Sequence, residues 1–539
     1  MVNSDIALIR DYAEAVFRRG REPMEPFNFQ PDWDDGPSKI KTYGDVITMP
    51  LPHDHPPLRP LAATATLPDT EGPWSFTSLA TLLRMSYSTL CRRLEPNWNQ
   101  DTLARVGYDH AVWGRGTASG GGLYPLEIYW VSGATGPLLP GVYHYVTGSH
   151  ALERLLVGDL TERVRAATGH HPSACETDQF LLISVKFWKN AFKYNSFAYH
   201  VVTQDVGALL TSWELIARAL RMPLRRVMWF ADRALNDLLG LDTLGESVLA
   251  VVPLPWAGPG PDRVLNDAAP RVTKPAFERS RTVISFPTVE KVHLAALVDA
   301  GEARPDPEVA RSAAPPAAPP AARPQEVPLP PPVELGMDLG EALAKRRSAF
   351  GGFAAAPPLT AAELGGVLRM ATAARHYRAD IHPAADPGPL TRLFVMVHRV
   401  AGVPTGGYVY LPERHALDPV EIDPDVREHM PSFLQGSYFL TNYNLDRVGA
   451  VVAITARLDP ALAAFGKRGY RILNAEVGGL AQAGYLAATA AGVSCGAVLG
   501  LDNVTYNGVF HLDGTDERTF LFLLLGRGRT ASAELDYRL

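Results

Sequence analysis

The sequence predicts an α+β fold built from two related halves. Three observations carry that expectation. Short blocks of residues recur at fixed spacing, each half has the same order of strand-like and helix-like runs, and a segment rich in proline and alanine separates them. Gly141-Val142-Tyr143-His144-Tyr145, with His150-Ala151-Leu152 behind it, recurs as Gly406-Gly407-Tyr408-Val409-Tyr410 with His415-Ala416-Leu417, at an offset of 265. Tyr199, Asp205 and Gly207 recur as Tyr470, Glu476 and Gly478, and Asn236 and Asp242 as Asn507 and Asp513, at an offset of 271. One short insertion accounts for the change. Coincidence does not hold register over three blocks, so an internal duplication is inferred.

Strand-like runs stand at Leu126–Val131 and Phe180–Phe187 in the first half, and at Leu393–Val400 and Val448–Ala456 in the second. An amphipathic helix follows each pair. Val206, Leu209, Leu210, Trp213, Ile216 and Leu220 fall at three- and four-residue spacing, matched by Val477, Leu480, Ala481, Tyr485 and Ala488. A last apolar strand, Ser247–Leu254 or Thr519–Leu525, ends each half. Between the halves, residues 303–334 lack aromatics and cannot bury enough apolar area to offset their ordering entropy, so an extended tether is expected. The expected layout is an N-terminal extension over 1–60, a first domain over 61–302, the linker 303–334 and a second domain over 335–539.

At 539 residues the chain exceeds what one core serves. A net charge of -6 gives no electrostatic case for nucleic acid or an anionic membrane. Cys91, Cys175 and Cys495 form no CxxC or zinc-type cluster, and each is expected as a small buried residue in a reducing compartment. Residues 1–20 carry Asp5, Arg10, Asp11, Glu14 and Arg18 and do not read as a signal peptide. A cytoplasmic location is expected. Leu480–Leu501 is long enough to span a membrane, but Ala491-Gly492 and Gly496 break it, and a buried helix followed by a turn is expected. His144, His200 and His415 are isolated, so no metal site is expected.

The sharpest local signal is Arg115-Gly116-Thr117-Ala118-Ser119-Gly120-Gly121-Gly122-Leu123-Tyr124-Pro125-Leu126-Glu127. Three glycines before a strand let backbone N–H groups approach a flat or anionic ligand, and Ser119 adds a hydroxyl. A flexible turn is the plainer alternative. The run is neither a Walker loop nor a GxGxxG helix start.

Taken with GVYHY and HAL, the glycine motif resembles the SagB/McbC type of dehydrogenase (ThcOx-like) in the nitroreductase superfamily. The opening FNFQPDWDDGPSKIKTY and MPLP is similar to the N-terminal region of such chains. The resemblance covers most of residues 25–257 and, more weakly, 335–529. It implies two nitroreductase-like domains fused as a pseudo-dimer. The implied activity is FMN-dependent oxidation of thiazoline or oxazoline rings in a ribosomally made peptide, with oxygen as final acceptor. Implied partners are an azoline-bearing precursor peptide and the cyclodehydratase of the same pathway, with further oligomerisation open.

Phe192-Lys193-Tyr194 resembles the family's catalytic Lys–Tyr pair. Aromatising an azoline removes a proton and a hydride from neighbouring ring carbons, so a base is needed. A phenol of pKa about 10 is a poor base, and a nearby ammonium lowers that pKa. Lys193 is therefore expected to activate Tyr194, or to act itself if desolvated. Adjacent side chains diverge on a strand, so the pair needs a loop or helix end. Lys345-Arg346-Arg347-Ser348 resembles the superfamily's phosphate-binding segment, where guanidinium forks and a hydroxyl suit a phosphate dianion. Arg527 and Arg529 resemble its C-terminal basic residues. Ser494-Cys495-Gly496 and Gly500 sit where relatives line the ring with backbone. The expected FMN contacts are thus Arg115, Ser119, Gly120, Gly121, Gly122, Leu123, Arg346, Arg347, Ser348, Ser494, Cys495, Gly496, Gly500, Arg527 and Arg529.

The halves diverge in complementary ways. Lys193 and Tyr194 align with Ala464 and Phe465, and Ser119–Gly122 falls opposite Pro383–Asp386. Arg346-Arg347-Ser348 falls opposite Leu61-Ala62-Ala63, and Pro255-Trp256-Ala257 stands where the other half has Gly526-Arg527. One FMN site is expected, its phosphate held by the second domain and its ring by the first. Two other functions remain open: a general NAD(P)H-dependent nitro or quinone reductase, and a non-catalytic subunit of a peptide-modifying complex.

Overall fold

A computed structural model describes residues 2–66, 72–94, 101, 111–256, 270–317, 321–381, 388–530 and 535–538. Apolar runs that alternate with turns form two antiparallel sheets. The first contains β1 (Ile47–Pro50), β2 (Leu126–Ser132), β3 (Gly141–Val146), β4 (Ala151–Val157), β5 (Gln179–Lys186) and β6 (Glu246–Pro253), ordered β1-β4-β3-β2-β5-β6. The second contains β7 (Val327–Pro328), β8 (Thr391–Val397), β9 (Gly406–Leu411), β10 (Ala416–Val420), β11 (Ala450–Arg457), β12 (Ser494–Val498) and β13 (Glu517–Gly528). Its order is β7-β10-β9-β8-β11-β13, with β12 and Phe353–Ala354 added against β13.

The two sheets share one path and one register. Tyr129 faces His144 and Leu182 in the first, and their repeat mates Phe394, Val409 and Ala453 face one another in the second. Even the irregularity recurs, at Ile183/Ser184 and at Ile454/Thr455. His150 and His415 both take a positive φ, both meet a tyrosine hydroxyl through Nδ1 (Tyr145 at 2.7 Å, Tyr410 at 2.8 Å), and both meet a proline carbonyl through Nε2.

The helices that matter to the site are α1 (Val2–Arg18), α2 (Phe76–Tyr87), α3 (Phe187–Tyr194), α4 (Ala198–Leu220), α5 (Leu339–Lys345), α6 (Ala361–Ala373), α7 (Leu458–Phe465) and α8 (Gly469–Ala490). The amphipathic stripes seen in sequence are in fact helices buried nearly all round, α4 and α8, packed on each other. Their contact is backbone to backbone. A Cβ at Gly207 would lie 1.7 Å from the Ala475 carbonyl oxygen, and one at Gly478 would lie 1.9 Å from that of Gln204. The sheets and the remaining helices close over this pair. The chain's end returns to the first half, where Asp536–Arg538 pairs with Cys91–Leu94. Leu480–Leu501 forms the end of α8, a turn and β12, and among the described residues no helix is long and apolar enough to cross a membrane.

Residues 303–334 differ from the expected tether; 318–320 lie outside the described residues. Ala310 and Ala313 are fully buried, and the 3-10 turn Pro307–Ala313 packs on α7. Arg457 donates to the Ser312 and Ala314 carbonyls, and Val327–Pro328 pairs with Leu417 and Ala416. Composition missed this because small alanines fit a groove, and because the arginine that takes the free carbonyls comes from a distant strand. Cys91 and Cys495 are buried as expected, whereas Cys175 is exposed.

Because nothing can yield at the helix crossing, Gly207→Ala should destabilise the protein by about 3 kcal/mol or more, read as a lowered denaturation midpoint. Gly436→Ala, where a Cβ meets nothing within 4 Å, is the control and should stay near the parent.

Candidate functional site

The seam between the halves gathers most of the residues the sequence singled out. On the first half, α2 and α4 carry the segment Arg115–Leu123. The Arg115 guanidinium lies between the rings of Tyr87 and Tyr124, 4.7 and 4.4 Å from their centroids. Gly116 cannot carry a side chain, since a Cβ would fall 2.0 Å from the Met85 carbonyl oxygen. From the second half, Gln482 of α8 grips this segment. It donates to the Gly116 carbonyl at 3.0 Å and accepts from the Ala118 N–H at 2.9 Å.

The glycine turn is held from below by α4. Asp205 accepts from the Ser119 hydroxyl at 2.6 Å and from the Gly120 N–H at 2.8 Å, and Ser119 Oγ accepts from the Tyr124 N–H at 2.9 Å. Gly121 and Gly122 take φ of 65° and 67°, a conformation that favours glycine. Leu123 closes the turn, its N–H on the Gly120 carbonyl.

Lys193 and Tyr194 end α3, which stops where Asn195 takes a positive φ; the repeat helix α7 stops likewise at Gly466. The pair meets the turn. A Cβ at Gly121 would lie 2.7 Å from Tyr194 Oη and 3.1 Å from Lys193 Nζ. The expected activation of Tyr194 by Lys193 needs correction. Burial first, and then the Asp205 carboxylate, push the phenol well above its ordinary pKa. Desolvation instead lowers the pKa of the Lys193 amine. These directions run against a Tyr194 phenolate and toward a neutral Lys193 amine, the second of the two expected roles.

On the second half, Ser348 Oγ hydrogen-bonds Tyr485 Oη at 2.8 Å, and that oxygen accepts from the Ala497 N–H at 2.6 Å. Arg346, just past α5, is buried and donates to the Gly116 and Arg115 carbonyls, both at 3.2 Å; Arg347 is exposed. Arg527 pairs with Glu363 of α6 at 2.7 and 2.6 Å, leaving its buried Nε unpartnered, and Arg529 pairs with Asp101. Ser494 packs so closely on Gly528 that a Cβ there would meet its hydroxyl at 2.4 Å. The Cys495 thiol is buried and pushed far up by desolvation, so it is no nucleophile. The faces of Gly496 and Gly500 are covered by Tyr443 and Tyr438, 2.6 and 2.8 Å from where a Cβ would stand. The stretch Pro383–Asp386, aligned with the glycine turn, lies outside the described residues.

Sequence reasoning missed Asp205, Gln482, Tyr485, Tyr438 and Tyr443 as parts of this region. Asp205 already stood in the repeat register, and Gln482 was the polar break in the apolar run of α8. Tyr438 reaches across the seam, and the nearby Tyr194 adds to the burial that raises its pKa.

Adding one carbon at Gly121 or Gly122 separates strain from collision. Gly122→Ala meets open space and should cost only about 1 kcal/mol of backbone strain. Gly121→Ala should cost more, since Tyr194 must also move, and the difference is read by denaturant unfolding of the two variants.

Residues 343–527 match the sequence profile of the Nitroreductase family. A provisionally named nitroreductase from Methanocaldococcus jannaschii is 31% identical over 137 residues, which span 25% of this chain and 66% of that relative's length. The crystal structure of a provisionally named nitroreductase from Anabaena variabilis overlays on 97% of this chain and 99% of its own, with TM-score 0.69 and 25% identity. A chain from the E. coli microcin synthetase McbBCD complex covers 46% of this chain at TM-score 0.25, an overlap too slight to weigh. Residues 343–527 therefore form a Nitroreductase family domain, and the chain as a whole has a nitroreductase-like fold of mixed helices and strands.

Proposed function

We propose that the chain is an FMN-dependent dehydrogenase that converts thiazoline or oxazoline rings of a ribosomally made peptide into thiazoles or oxazoles. The observation that carries this reading is the meeting of Lys193 and Tyr194 with the glycine turn at Gly121. A nitro or quinone reductase draws its electrons from a nicotinamide and needs no carbon base, whereas azoline oxidation does.

The residues fit the cofactor. Gly122 presents bare backbone to open space, suited to a flat ring. Exposed Arg347 and the Ser348 hydroxyl suit a phosphate, while Arg527 is held by Glu363. Arg346 serves differently, tying the Arg115–Gly116 backbone to the second half. FMN supplies the hydride acceptor when bound. Lys193, as the neutral amine, takes the ring proton and, being exposed, returns it to water. Tyr194 keeps its proton on Oη and donates a hydrogen bond to the ring. The ring thus loses one proton and one hydride, two hydrogen atoms in all, and oxygen is the final electron acceptor.

The two domains, 61–302 and 335–539, act as a pseudo-dimer with one FMN site. The matching strand order and register support this. At the repeat position α7 ends in Ala464 and Phe465, which offer no base, and the turn Pro307–Ala313 packs on that helix. The azoline substrate would come from a cyclodehydratase. The Nitroreductase profile match favours a second reading, NAD(P)H-driven reduction of nitro compounds or quinones.

The purified protein should hold one FMN per chain, and a ratio near two counts against a single site. On an azoline peptide, Lys193→Ala should lower kcat by about 100-fold or more with FMN still bound. Tyr194→Phe should cost about tenfold. Activity should rise with pH as the amine deprotonates, with a midpoint below the ordinary lysine value near about 10.4, and Lys193→Ala should lose that limb. Stoichiometric NADPH consumption with a nitroaromatic, and no loss of two hydrogens from the peptide, would favour the second reading.

A further inference from the structure

We propose that Asp205 is the positioning residue of the Lys193–Tyr194 pair: it fixes the glycine turn against both side chains and sets an unpaired carboxylate at the turn that meets the Tyr194 phenol. The inference rests on the reading above for its substrate and for the role of the pair.

The geometry begins on α4, where Asp205 is buried at the seam. Its two oxygens are divided between two parts of the turn, Oδ2 accepting from the Ser119 hydroxyl and Oδ1 from the Gly120 N–H. Ser119 passes the restraint on by accepting from the Tyr124 N–H, so the turn is braced at both ends. The turn is also pressed on α4, since a Cβ at Gly120 would fall 2.1 Å from Val201 Cγ1. What the brace holds in place is Gly121, the residue that meets Tyr194 Oη and Lys193 Nζ. A shift of an ångström here would separate the pair from whatever lies on the turn.

The electrostatics follow from the same placement. Among the described residues, no lysine, arginine or histidine forms an ion pair with Asp205. The titratable groups that feel it are Tyr194 of α3 and Tyr87 of α2, and its charge raises the pKa of both. Arg115 lies beyond, over the Tyr87 ring. Burial pushes the Asp205 carboxyl itself up to about 7 against the pull of its two hydrogen bonds. An unpaired carboxylate beside a phenol opposes a second negative charge, which leaves proton abstraction to Lys193.

The repeat shows the same device turned to another use. Glu476 of α8 accepts from the Leu390 N–H at 2.9 Å, the Thr391 hydroxyl at 2.8 Å and Tyr377 at 3.3 Å. There it braces the entry to β8, beside a helix whose end carries no base. Among the described residues, the carboxylate braces a segment that touches a lysine and a tyrosine in the first half and not in the second.

The test uses the full-length, FMN-loaded protein with fluorotyrosine at position 194, whose greater acidity brings the titration into reach of fluorine NMR. Asp205→Asn keeps the shape and removes the charge, and it should lower the position-194 titration midpoint by about one pH unit. Asp205→Glu keeps the charge but displaces the turn, and its titration should stay close to the parent. On a synthetic thiazoline peptide, both variants should lose about tenfold or more in kcat with KM nearly unchanged. An unmoved titration in Asp205→Asn overturns the electrostatic role. Parent-like kcat in Asp205→Glu overturns the positioning role, and this arm decides if the asparagine variant does not fold. A parent protein that leaves the peptide untouched, while the titration still moves with Asp205→Asn, overturns the azoline reading and supports the assignment of the charge.

Discussion

The backbone contact between α4 and α8 is the constraint on which the rest of the structure depends. Gly207 and Gly478 let two helices approach until each glycine lies on a carbonyl of the other helix, those of Ala475 and Gln204. That distance fixes how the two sheets stand to each other, and so how near Gln482 comes to Gly116 and Ala118. A helix pair held apart by ordinary side chains would leave the glycine turn and the Ser348–Tyr485 pair facing each other across water. The functional region is thus a by-product of close packing, and the glycines that permit it lie outside it.

Charge at the seam is matched locally. Arg346 is satisfied by carbonyls, Arg527 by Glu363 and Arg529 by Asp101. The lowered pKa of Lys193 arises from desolvation. Burial likewise pushes the Cys495 thiol up, against the pull of Arg346.

Behind the glycine strand lies a buried network that seats α3. Lys189, one helical turn before Lys193, meets Glu127 at 2.5 Å. Glu127 ends the motif read from the sequence and also meets His144 at 3.3 Å. Burial pushes the Glu127 carboxyl up, but Lys189 and then His144 hold it below the ordinary range. Lys41, from the N-terminal segment, meets Glu246 and Tyr129, both at 2.6 Å. Breaking one such buried pair strands its partner at a cost of about 3–5 kcal/mol. The helix that carries the Lys–Tyr pair, the glycine strand and the N-terminal extension are therefore locked as one unit.

Sequence by itself determined what is local or repeated. That the two halves share one plan could be anticipated from blocks at offsets of 265 and 271, because a side chain such as His150 or His415 meets a tyrosine five residues before it. The glycine turn announced itself because only glycine takes positive φ without strain. The Lys–Tyr pair stood at a helix end, as two adjacent side chains aimed at one place require. Tertiary structure decided everything that depends on a distant neighbour. Whether Arg527 is free or paired depends on Glu363, 164 positions away. Whether an alanine-rich segment is a tether or a packed strap depends on Arg457. Which way the Lys193 and Tyr194 pKa values move depends on burial and on Asp205, since a pKa is set by the charges and water around a group in space, and neighbours along the chain do not report them.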